Sequence, residues 1–193
     1  MPRGRPRSFD ENEVLDTLIK MFVRDGFEGV SISAVCKETG VSLQSLYSTF
    51  GDKAELYRRA LTRYGETASD PLIQGLRKTS DPIEALRNFV KGFEYFNTLP
   101  EGQGCLFTQS LASAVEGGPC DGAIARGYAN RIRKALKDRA REAADAGRLA
   151  GDPDLIADSL LSASYGAAVV GRGGLPKAVI TNSVKEALKL LEP

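Results

Sequence analysis

The chain has 193 residues, 42% of them hydrophobic and 26% charged, enough apolar content for a packed core over one ordinary domain or two smaller ones. The formal net charge of +1 gives no global attraction to nucleic acid, so any basic partner surface has to be local. The absence of histidine excludes Ser-His-Asp and Cys-His catalysis and any His-ligated metal, and Cys36, Cys105 and Cys120 have no zinc spacing, so neither metal nor cofactor is expected. The odd cysteine count leaves at least one thiol unpaired, which fits reduced thiols in a cytoplasm. No apolar run approaches the roughly 20 residues that cross a bilayer, and "MPRGRPRSFDENE" lacks the apolar stretch of a secretory signal.

Helical periodicity dominates and no stretch reads as a strand. Arg3, Arg5 and Arg7 come before any acid and form a basic arm. A first helix is predicted from about Asp10 to Asp25, with acids in its first turn, an apolar stripe through Val14, Leu18 and Phe22, and Gly26 as its stop. Ser31 starts a short second helix to Thr39, capped by Gly40, and Ser42 caps a third in which Leu46 and Phe50 share one face. Two short helices joined by a glycine-containing turn, behind a longer supporting helix, form a helix-turn-helix pattern. Leu46 and Phe50 point inward, which leaves Leu43, Gln44, Ser45, Tyr47 and Ser48 for a major groove roughly 12 Å wide.

Asp52 caps a fourth helix, predicted from Lys53 to about Thr67. Asp81 and Pro82 open a fifth, to about Asn97, and a sixth covers about Cys105 to Val115. A long seventh runs from about Asp121 to Ala146, "GDPD" caps an eighth to about Val170, and a ninth covers about Pro176 to Leu191. The expectation is therefore an all-α chain of about nine helices, with an arm and helix-turn-helix domain over 1–52 and a helical domain over 53–193. The basic run "RIRKALKDRAR" in the seventh helix reads as a solvated outer face rather than a second nucleic-acid patch.

Phe93, Phe96, Phe107, Ser110 and Tyr128 read either as core or as the lining of an aromatic cavity. Few charges fall among the interior positions, which favours a neutral or apolar ligand. Cys105 at a helix start is either a small buried residue or a thiol sensor of oxidants or electrophiles. The last two helices carry more apolar surface than one pair can hide, including Leu155, Val169, Val170 and Val179, so pairing with a second copy is expected.

The basic "GRPR" start, "VLDTLIKMFVRDGFEGVSISAVCKETGVS" and above all "SLYSTFGDKAELYRRAL" resemble the TetR family of bacterial transcriptional regulators over about the first third of the chain. "GCLFTQSLASAVE" is similar to the corresponding helix start of some members. The resemblance implies a homodimer that binds a pseudo-palindromic operator in double-stranded DNA and releases it when a small molecule enters the helical domain. It also implies phosphate contacts from Ser31, Ser33, Tyr47 and Lys53, and base contacts from Leu43, Gln44, Ser45 and Ser48, with Ser42 at the start of that helix. Thr49 stands where many members carry histidine or an aromatic. Arg3-Gly4-Arg5-Pro6 resembles the core of an AT-hook, whose arginines enter a narrow minor groove.

Overall fold

A computed structural model describes residues 9–99, 104–115, 118 and 122–192; Arg3, Arg5, Arg7 and Cys120 lie outside the described residues. Helix α1 (Glu11–Gly29) starts at the Asp10 cap, whose carboxylate accepts from the Asn12 amide at 2.7 Å. Gly26 (φ 75°, ψ 174°) breaks it where a stop was expected, and a further turn carries it to Gly29. The Ser31 hydroxyl caps α2 (Ile32–Thr39), and Gly40 closes it in the left-handed region. Ser42 caps α3 (Leu43–Phe50) and Asp52 caps α4 (Lys53–Tyr64).

These four helices share one core. Leu18, Phe22, Val35, Leu46, Phe50 and Leu56 are fully buried, and the Phe22 and Phe27 rings meet Tyr57 edge-on at 4.9 and 5.1 Å. Edge-to-face pairs of this kind add about 0.5–1.5 kcal/mol each beyond the area they bury. A bidentate Arg63–Asp16 pair (2.9 and 3.1 Å) also ties α4 to α1 and holds the Asp16 carboxyl below its ordinary pKa.

The fourth helix does not end near Thr67, as the sequence suggested. The chain continues through a π-helical turn, Gly65–Ser69, into α5 (Asp70–Lys78). Pro71 and Gly75 look like breakers, but a π turn interrupts the regular ladder at the place where proline cannot donate. Ile73 and Leu76 then bury one face of α5 against α6 and α8.

Helix α6 (Pro82–Thr98) begins at the Asp81 cap, α7 spans Leu106–Ala112, α8 spans Ala123–Asp145, α9 spans Pro153–Arg172 and α10 spans Lys177–Lys189. Helix α6 packs on α8, α9 and α10, while the short α7 touches α1, α4, α8 and α9. With Lys53–Lys78 counted as one rod, the described residues form nine helices and no strand. No helix among them is long and apolar enough to cross a membrane.

The basic run of α8 is neutralised within the fold. Arg133 reaches Asp158 at 2.6 Å, Lys137 and Arg141 share Asp154, and Arg131 reaches Asp70 at 2.5 Å. It therefore offers little net positive field to nucleic acid.

Candidate nucleic-acid interface and the cavity behind it

Helix α3 is held by Leu46 and Phe50, both essentially inaccessible, with the Phe9 ring 6.2 Å from Phe50 on the outside. Gln44 and Ser48, one turn apart, point most directly away from that seam and are exposed, with Leu43 (52% exposed) and Tyr47 (45%) flanking them.

The serines on this face differ from the glutamine in one respect. Ser42 Oγ accepts from the Ser45 amide and donates to Ser45 Oγ at 2.9 Å, while Ser48 Oγ donates to the Ser45 carbonyl at 3.0 Å. Ser31 is likewise occupied, capping Ala34 and lying 3.0 Å from Ser33 Oγ. These hydroxyls shape the helix starts and offer only their remaining lone pairs outward. Among the described residues the Gln44 amide and the Tyr47 hydroxyl carry no such internal bond, which makes them the freest polar groups on the exposed face.

Lys53 stands at the first position of α4, with its ammonium 4.4 Å above the centre of the Phe27 ring. A cation–π seat of this kind is worth about 0.5–1 kcal/mol at an exposed site. It keeps the charge beside the positive end of the α4 dipole, and leaving it costs little.

Behind the helix-turn-helix lies a cavity of about 830 Å³, within the roughly 300–1,000 Å³ range of small-molecule sites. Helix α1 contributes Ile19, Lys20, Val23 and Arg24, and α6 contributes Gly92, Phe93, Phe96 and Asn97. The π turn supplies Thr67 and Ala68, and Tyr64 and Cys105 also line the space. Of the residues expected to line a cavity, Phe93 and Phe96 do so. Phe107 is buried elsewhere, edge-on to Tyr64 at 5.0 Å and stacked on Tyr128 at 5.1 Å, and Ser110 is fully buried with no hydrogen-bond partner for its hydroxyl among the described residues.

Tyr64 donates to Cys105 Sγ at 3.5 Å. Burial pushes the Tyr64 and Tyr165 phenols above their ordinary pKa, so both stay neutral. Sequence reasoning passed over Lys20, Arg24, Tyr64 and Asn97. The one available signal was the i, i+4 spacing of Lys20 and Arg24 beside the Ile19–Val23 pair.

A joint connects this cavity to the helix-turn-helix. Next to the break at Gly26, the Val23 carbonyl accepts from Gln109 Nε2 of α7 at 3.1 Å and from an Arg172 guanidinium nitrogen of α9. Helix α1 is therefore tied to both α7 and α9 at the level of the cavity wall.

A helix-turn-helix carried on a helical body, with an exposed face on its third helix, defines a DNA-binding transcriptional regulator rather than an enzyme. Residues 14–60 match the family model described as bacterial regulatory proteins, tetR family. An uncharacterized HTH-type transcriptional regulator, YezE of Bacillus subtilis (strain 168), is 32% identical over 135 residues, covering 70% of this chain and 68% of that protein. The HTH-type transcriptional repressor BdcR of Escherichia coli (strain K12) is 35% identical over 88 residues, 46% of this chain and 45% of its own length. A solved structure of a cysteine mutant of the TetR family regulator CifR, complexed with 26bp double-strand operator DNA, has a similar fold, with TM-score 0.83 and 23% identity over 96% of this chain and 98% of that one. The chain belongs to the TetR family of bacterial regulatory proteins.

Proposed function

We propose that this chain is a homodimeric cytoplasmic repressor, which holds a palindromic operator through α3 and leaves it when a small molecule fills the cavity. The observation that carries this reading is the lining: Val23 and Arg24 of α1 form part of the cavity wall, and α1 shares its core with α2, α3 and α4. A ligand pressing on that wall changes the angle of the DNA-reading unit, and a differential contact of this kind is what coupling requires. BdcR is named a repressor and CifR is seen with operator DNA, which fits the same role here. Selecting bound DNA from a random pool tests the central claim. A palindrome with half-sites one or more helical turns apart supports it, and unpatterned sequences reject it.

The dimer reading rests on α9 and α10. Ile156, Leu160, Ile180 and Val184 are buried within the subunit, but Leu155, Val169, Leu175 and Val179 stay 66%, 57%, 52% and 42% exposed. Gly166 of α9 is exposed too, with nothing within 4 Å of where a Cβ would sit, which suits close approach of a second helix. Val169→Glu is expected to give a folded monomer by analytical ultracentrifugation that no longer retains operator DNA. A dimer of unchanged strength would place the interface elsewhere.

A second reading keeps the DNA-binding role and makes the Cys105 thiol the sensor, since Cys105 lines the cavity and is 7% exposed. Alkylation of Cys105 that leaves operator affinity unchanged ends that reading.

A further inference from the structure

We infer that the cavity takes an amphiphilic anion, an apolar chain or ring system ending in a carboxylate, with Lys20 and Arg24 holding the charged end; this rests on the effector reading above. The lining is mostly apolar, yet its ionisable groups are of one sign. Lys20 and Arg24 line it, and no aspartate or glutamate does so among the described residues. Their i, i+4 spacing on α1 places both ammonium and guanidinium beside the Ile19–Val23 wall, so one helix presents apolar and cationic surface to the same space.

Both cations are available. The natural helical partner of Lys20 is Asp16, and Arg63 already holds both oxygens of that carboxylate. Lys20 comes within ion-pair distance of no carboxylate among the described residues, and its charge helps Arg63 only at longer range to hold the Asp16 carboxyl below its ordinary pKa. Arg24 pairs with its exposed neighbour Asp25 at 2.7–3.1 Å, a solvent-facing contact that contributes little and that an incoming carboxylate readily replaces or shares. A fork-shaped guanidinium beside a free ammonium suits a planar carboxylate better than a neutral hydroxyl.

Room for the tail is provided on the other wall. Gly92 sits inside α6, where glycine disfavours the helix relative to alanine, and nothing lies within 4 Å of where its Cβ would be. The missing side chain leaves that stretch of the cavity wall open. The sequence favoured a neutral or apolar ligand because few charges fall among the interior positions, and the Lys20–Arg24 side of α1 was not counted among them. The fold places that side along the cavity.

The test uses the full chain and four ten-carbon probes below their micellar concentrations: decanoate, decyl phosphate, decan-1-ol and decyltrimethylammonium. Calorimetry should show decanoate binding more tightly than the alcohol, with no binding of the ammonium, and decyl phosphate separates a carboxylate site from a general anion site. The Lys20→Gln/Arg24→Gln pair should weaken decanoate by about tenfold or more while changing the alcohol little. Gly92→Leu, which fills the space, should remove every probe and, if anything, raise the melting temperature. Alcohol or ammonium binding as tight as decanoate, decyl phosphate alone binding, no anionic probe binding, or decanoate binding that survives the double substitution each overturns the proposal. Operator release is read separately by fluorescence anisotropy. Decanoate held through Lys20 and Arg24 without release would leave the anion site standing and reject effector-driven release.

Discussion

Gly65→Ala is expected to destabilise the protein by about 2–3 kcal/mol, through the Tyr128 ring rather than through helix propensity, which alanine improves. Gly65 opens the π turn, and an alanine Cβ there would fall 2.0–2.5 Å from three Tyr128 ring atoms. The ring has little room to shift, because Phe107 stacks on it at 5.1 Å and the Arg131 guanidinium lies 4.9 Å from its centre. It has to swing out and uncover Phe107, losing the stacking and the burial together. For a chain of this size that loss lowers the melting temperature by about 4–12 °C. A double-mutant cycle separates this cause from any general effect on the π turn. Tyr128→Ala removes the obstacle, so Gly65→Ala should cost almost nothing further in that background. A full additional loss would mean that the turn itself requires glycine.

The caps were legible because they are local chemistry. Asp10, Ser31, Ser42, Asp52, Asp81 and Asp152 each accept a hydrogen bond from the first turn of the helix they were read to start. The exposed face of α3 was legible for a related reason, since Leu46 and Phe50 fix the buried side and the remaining positions follow from the helical period. The π turn and α5 were not. Gly65, Pro71 and Gly75 argue against a helix over any short window, and only the burial of Ile73 and Leu76 against α6 and α8 overrides them. The cavity was half visible. Aromatic spacing finds Phe93 and Phe96, but it cannot separate them from Phe107, which fills a space instead of bordering one. Periodicity also assigns charged residues to water by default, whereas in the fold Lys20 and Arg24 border the same cavity as α6.

Gln44→Ala and Lys53→Gln are expected to weaken operator binding in different ways. Gln44 is the residue on the outward face of α3 with both a donor and an acceptor free of internal bonds, so it is the natural reader of a base edge. A good bidentate base contact is worth about 1–3 kcal/mol, and the proposed two-fold dimer would use each side chain twice, so the expected loss is about 2–6 kcal/mol per operator. That is roughly 30-fold to 20,000-fold in Kd, shown mainly as relaxed preference at one base pair of each half-site. Lys53 should act on every sequence alike. To meet a phosphate its ammonium leaves the Phe27 ring, a small loss against a charge-assisted contact. Removing that charge from both subunits lowers the slope of log K against log salt by about 2, because two fewer counterions are released. Binding of operator and scrambled duplexes from low to moderate salt measures both effects in one series. A Lys53→Gln protein with an unchanged slope would mean that the ammonium stays on Phe27 in the complex. A Gln44→Ala protein with unchanged sequence preference would shift base reading to Leu43 and Tyr47, the exposed side chains that flank it.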